Sequence, residues 1–193
     1  MNQRMNGLAA AQNMVRWGQA VLIAGGLAWI GRATLEIAFR PDYWNPPTAV
    51  DYVAVGGFSL ALILLGMGLW AIHLGRQPQT GLHKWTWSIG IALACGGALL
   101  AGAANFFEDW LGFKALGEAF ILGSLATFDG LILAGLSSIG ADDLPRWTPG
   151  CFIACAIGLG LMDNGGGFLI GAALILLGLL PQAKQAGQQP VVD

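Results

Sequence analysis

The sequence predicts an all-α membrane protein: six transmembrane helices arranged as three consecutive helical hairpins. Three observations carry this. First, 55% of the 193 residues are hydrophobic, only 10% are charged, and mean hydropathy is +0.63, whereas a soluble domain carries about 25% charged residues. So few polar side chains leave the apolar ones uncovered in water, and lipid becomes the solvent for much of the surface. Second, runs such as FSLALILLGMGLW (Phe58–Trp70) lack the apolar–polar alternation of a membrane barrel strand. A helix instead satisfies every backbone group within its own segment. Third, turn-forming and polar text divides the apolar runs into six pieces, the first four reaching the roughly 20 residues that one span uses.

The first span is placed at Trp17–Phe39, behind residues 1–16, which carry Arg4 and Arg16 and read as a polar lead or a short helix lying at the interface. It is too long and too charged for a signal h-region, which runs about 7–15 residues, so the amino terminus is read as retained. RPDYWNPP (Arg40–Pro47) ends it, because adjacent prolines remove donors and fix φ. The second span is Val50–Gly75, followed by the polar loop RQPQTGLHK (Arg76–Lys84). The third is Trp85–Asn105 and the fourth Ala115–Gly140. DDLPRW (Asp142–Trp147) leads to the fifth, Pro149–Met162. DNGGG (Asp163–Gly167) is a tight turn whose glycines supply unusual backbone angles. The sixth span is Gly167–Leu180. The last two reach only about 21 Å as straight helices, less than the ~30 Å hydrocarbon core. The domain division is a cytoplasmic lead (1–16), one six-helix transmembrane domain (17–181) and a cytoplasmic polar tail (182–193).

Cations set the orientation. With the amino terminus inside, Arg4, Arg16, Arg76, Lys84, Arg146 and Lys184 lie on the inner side and only Arg40 and Lys114 on the outer. Both termini are then cytoplasmic. Trp17, Trp70, Trp85, Trp87 and Trp147 are expected in an inner aromatic belt, with Tyr43, Trp44, Phe106, Phe107 and Trp110 in an outer one.

Thirty glycines suit close helix packing. Gly123 and Gly130 are seven apart, as are Gly171 and Gly178, so each pair shares a face and marks a seam. Gly25-Gly26-Leu27 and Gly96-Gly97-Ala98 sit at similar depths in the first and third spans, a hint of duplication. No Lys-Ser or Lys-Thr follows a glycine run, so a phosphate loop is not expected.

Four ionisable residues fall inside the spans far enough from the ends to need explaining: Arg32, Glu36, Glu118 and Asp129. A charge at mid-bilayer costs about 2.5–3.5 kcal/mol on insertion scales, and such groups normally face protein or water. Arg32 and Glu36 are four apart and lie one above the other on a helix face. Glu118 and Asp129, eleven apart, also share a face, being only about 20° past three full turns. From the outer ends of their helices Glu36 and Glu118 are each about 5 Å deep, Arg32 about 10 Å and Asp129 about 21 Å. If the first and fourth helices touch, the guanidinium fork reaches both glutamates. The expectation is a buried Glu36–Arg32–Glu118 cluster in the outer half, with Asp129 deeper and without an obvious cation.

Other chemistry is not indicated. Net charge is −2 with no basic cluster, which argues against nucleic acid. Cys95, Cys151 and Cys155 lie in apolar text as small hydrophobes, with no histidine near in sequence to complete a metal site. His73 and His83 fall near the inner boundary. No HExxH or GxSxG is present. No enzyme, cofactor or metal is expected. Acidic residues Asp42, Asp51, Glu108, Asp109 and Asp163 lie toward the outer side, as solvated loop ends or as an attractor for cations.

The polar linker Arg76–Gly81, the glycine-rich helix after it and the turn LPRW (Leu144–Trp147) carry a resemblance. Over about Leu69–Leu180 the chain resembles a loose group of uncharacterised bacterial six-helix integral membrane proteins with an LPRW-type turn before the fifth helix. The resemblance implies the topology and a bacterial inner membrane. The first loop departs from the group, having Arg40-Pro41 where His-Pro is common. On physical grounds Pro145 breaks the incoming helix, Arg146 marks the cytoplasmic side and Trp147 anchors the next helix.

Two functions fit. One is an accessory or scaffold subunit packing with other membrane proteins or with itself in the bilayer, favoured by the glycine seams. The other is a small-solute or ion pathway using Arg32, Glu36, Glu118 and Asp129.

Overall fold

A computed structural model describes residues 2–41, 48–75, 82–139, 141 and 144–180. Asp42, Tyr43, Trp44, Arg76, Lys184, the loop 76–81 and the tail 182–193 lie outside the described residues, and only the backbone of Arg4, Lys114 and Asp163 is described. The described chain is all-helical. Six α-helices follow in order: α1 (Asn2–Phe39), α2 (Ala49–Gly75), α3 (Leu82–Asn105), α4 (Gly117–Ser137), α5 (Thr148–Gly160) and α6 (Gly166–Gly178). Four are long and apolar enough to cross a membrane, through Gln12–Phe39, Ala49–Leu74, His83–Trp110 and Gly117–Ser137. α5 and α6 have 13 residues each and rise about 20 Å.

The expected polar lead is not a separate element. α1 runs unbroken from Asn2, because LAAAQNMV is rich in strong helix formers and no proline precedes Pro41. α2 starts on a capping box: the Asp51 carboxylate accepts from the Thr48 amide at 2.9 Å and from its hydroxyl, while Asp51 N–H donates to Thr48 Oγ1 at 3.4 Å. Asp51 is therefore buried at a helix start, where it serves a local turn. α3 leaves through one π-helical turn, Phe106–Trp110. Trp110 caps α2 by lying on Gly56, where no Cβ fits. α4 stops at Ser137, well before Pro145. Ser137 and Ser138 turn their hydroxyls back onto the carbonyls of Ala134 and Gly135, at 3.0 and 2.7 Å. Pro145 therefore does not end this helix. Its carbonyl accepts from Thr148 N–H as α5 begins. Gly165 takes the left-handed backbone (φ 82°) that turns α5 into α6.

Consecutive helices are antiparallel neighbours, and α6 packs back on α1. Among the described residues the main helix contacts thus form a closed ring, α1 to α6 in order and back to α1. The seams are built on small residues. Along α3 and α4 the close pairs are Gly90 with Ala134, Gly97 with Thr127 and Ala101 with Gly123. A Cβ on Gly97 would lie 2.5 Å from the Gly123 carbonyl oxygen, and one on Gly123 2.6 Å from the Ala101 amide. α1 and α6 meet in the same manner, through Gln19 and Gly178, Gly26 and Gly171, and Ala33 and Gly167. Gln19 Nε2 donates to the Leu180 carbonyl at one end of this seam. Both heptad glycine pairs therefore lie in helix contacts, where small residues let backbones approach. Trp29, Phe58, Leu62, Leu65, Leu131, Phe152, Ile170 and Leu174 fill the middle.

Because Gly167 sits against Ala33, the α5–α6 turn lies level with that residue. The last six residues of α1 rise about 9 Å above it. Arg32 is at this step.

Trp17, Trp70, Trp85 and Trp147 are exposed at one end of the bundle, and Phe107 and Trp110 at the other. Trp87 differs from the belt expectation. It is buried, donates its indole N–H to His73 Nδ1 at 3.1 Å and meets Phe152 edge-on at 5.6 Å. An indole one turn inside α3 finds both a ring and an acceptor within the bundle, which satisfies it better than the interface.

Candidate functional site

Helical spacing puts Trp29, Arg32 and Glu36 on one face of α1. The α1–α2 and α1–α6 seams turn that face inward, and Arg32 keeps only 4% of its surface. Its guanidinium pairs with Glu36, Nη1 to Oε2 at 3.5 Å. It also lies over the Phe58 ring, 4.6 Å from the centroid, and 5.7 Å from that of Trp29. A cation so placed is attracted by the negative ring faces. Phe58 meets Trp29 edge-on at 5.5 Å and Phe120 of α4 at 6.0 Å. The charge is thus held by one carboxylate and a row of aromatic rings reaching from α1 through α2 to α4. The Trp29 indole N–H is buried and has no hydrogen-bond acceptor among the described residues.

Glu118 does not join this cluster. α1 and α4 are not packed neighbours in the ring, and Phe58 and Phe120 fill the space between them. Glu118 is exposed on the outer surface of the bundle. So is Asp129, eleven residues further on and about 16 Å along the axis. The shared face inferred from their spacing exists, but it points away from the ring. The seam with α3 occupies the opposite side of α4, where Gly123, Thr127, Gly130 and Ala134 are buried. Once those four small residues are committed to α3, Glu118 and Asp129 must look outward. The four candidates therefore divide between two places: Arg32 and Glu36 within the bundle, Glu118 and Asp129 on its surface.

The outward face of α4 is regular. Glu118, Leu122, Leu125, Asp129, Ile132 and Leu136 follow one another at alternating spacings of four and three residues. All but the half-buried Ile132 are exposed. That spacing is the 3.5-residue period of a helix–helix seam. Only 33% of the apolar window of α4 is buried in the bundle, the least of the four long helices.

Two further polar contacts tie the ring without using these residues. Asn105 donates to Ser59 Oγ at 2.9 Å and to the Val55 carbonyl at 3.4 Å, joining the start of α2 to the end of α3. His73 and Trp87 join the end of α2 to the start of α3. Glu108 lies beside Gly117, the first residue of α4, where a carboxylate favours the helix dipole. Among the described residues no group of three His, Cys, Asp or Glu is placed to hold a metal ion. Phe58 and Phe120 are the site residues that spacing alone did not pick out. Trp29, three residues before Arg32, was the available signal.

These features define an all-helical bundle with four helices long and apolar enough to cross a membrane, an ion pair in its interior and an acidic stripe on its surface. No protein-family model, curated protein or solved structure matches the chain.

Proposed function

We propose that this is a multi-pass protein of a bacterial inner membrane, with both termini cytoplasmic and the short α5 and α6 completing six spans. It acts as an accessory or scaffold subunit that packs with other membrane proteins or with itself. The observation that carries this reading is the outward stripe of α4: a seam-patterned apolar face interrupted by a carboxylate near the middle of the helix. Intramembrane acids normally face protein or water, so such a face calls for a protein neighbour. The pathway reading asks Arg32, Glu36, Glu118 and Asp129 to line one route. Two of them look inward and two outward, which favours the scaffold.

The test is purification of the chain from its native membrane after mild crosslinking. A stoichiometric partner or a defined oligomer is expected. A free monomer that passes ions or small solutes when reconstituted in vesicles would replace this reading with the pathway.

A further inference from the structure

We propose that the outward stripe of α4 docks a transmembrane helix of another protein, and that this helix carries a lysine or arginine at the level of Asp129. The inference rests on the scaffold reading and names the partner's chemistry. Glu118, Leu122, Leu125, Asp129 and Leu136 are exposed at seam spacing on the least covered of the long helices. Asp129 makes no hydrogen bond or ion pair with any described residue. It stands about midway along α4, twelve residues from its start and eight from its end.

Charge decides the occupant. The stripe offers two carboxylates and no cation. Stripe against stripe, a parallel second copy sets Asp129 against Asp129 and Glu118 against Glu118. An antiparallel copy sets each acid against leucines or the other acid. Neither supplies a donor of opposite charge. The chain's own intramembrane cation, Arg32, is enclosed in the bundle with Glu36. A basic residue on a foreign helix answers Asp129 directly, and a single polar position within an apolar seam also sets its register. Glu118 lies about three turns nearer the outer surface, where a long basic side chain of the same helix reaches it.

The full chain, labelled at its amino terminus and reconstituted in phosphatidylcholine vesicles, is titrated with an acceptor-labelled synthetic peptide. The peptide is a leucine–alanine transmembrane helix with one central lysine. Energy transfer is expected to half-saturate at about tenfold lower peptide than for the same helix with leucine in place of lysine. Asp129→Asn abolishes that difference. Helix content and detergent melting of Asp129→Asn stay as in the parent, since the side chain is exposed. Equal binding of the two peptides overturns the proposal without any change to the chain. Transfer between two differently labelled copies of the chain that Asp129→Asn removes also overturns it, and assigns the face to a second copy. A native partner that crosslinks to α2 or α3 and not to α4 leaves the scaffold reading standing and removes this one.

Discussion

The Arg32 guanidinium lies 4.6 Å from the centroid of the Phe58 ring, and that contact couples α1 to α2 at the step above the α5–α6 turn. Charge, ring and packing meet at one point. Variants there separate an ion pair that braces the bundle from one that is incidental.

Arg32→Met is expected to lower stability in detergent by on the order of 3 kcal/mol, because it removes the buried cation that pairs with Glu36 and lies over two rings. Glu118→Gln is expected to stay within about 0.5 kcal/mol of the parent, as for an exposed side chain. Thermal melts of the two variants in one detergent check both. An unchanged Arg32→Met melt is incompatible with a bracing role.

Phe58→Leu keeps much of the buried volume but removes the ring face under Arg32. A loss of about 1 kcal/mol is expected. In the Arg32→Met background the same change should be smaller, since the cation is already gone. A double-mutant cycle measures the coupling. Additive losses would mean that the stacking carries no energy.

The α3–α4 seam predicts opposite outcomes at adjacent glycines. A Cβ on Gly97 meets the Gly123 carbonyl at 2.5 Å, while one on Gly96 meets nothing within 4 Å. Gly97→Ala should force the helices apart and lower the melt by about 1–3 kcal/mol. Gly96→Ala should leave it within about 0.5 kcal/mol. Equal effects would show that the seam is looser than its geometry.

At the start of α2, Asp51→Ala removes the acceptor of the Thr48 amide and hydroxyl. A loss of about 1 kcal/mol is expected, and Asp51→Asn should recover part of it. Amide exchange across residues 49–54 reads the fraying directly. Unaltered protection in Asp51→Ala would remove the cap from the account.

Much of this architecture was legible because helix content, span ends and glycine seams depend on local text. The pairing of Arg32 with Glu36 follows from a four-residue spacing, and the shared face of Glu118 and Asp129 from an eleven-residue one. The direction in which that face points does not follow. It is set by which side of α4 the small residues give to α3, and Gly123, Thr127, Gly130 and Ala134 could be recognised as that side only with α3 in view. The same holds for Phe58 and Phe120, whose meeting depends on where three helices stand in the ring. Trp87 misled for another reason: a tryptophan near a helix start reads as an interface anchor until His73 is found opposite it. The unbroken α1 shows that polar composition in residues 2–16 does not mark a helix boundary.

The contact between α1 and α6 also bears on how the chain is made. α1 leaves the ribosome well before α6, and Gly26 and Ala33 meet their partners only when Gly171 and Gly167 arrive. At translation rates of about 5–20 residues per second, that wait is on the order of ten seconds. During it, the α6-facing side of the first helix has no native cover. A nascent chain stalled before Gly166 should therefore be the form most readily held by an insertion chaperone, and release should coincide with synthesis of α6.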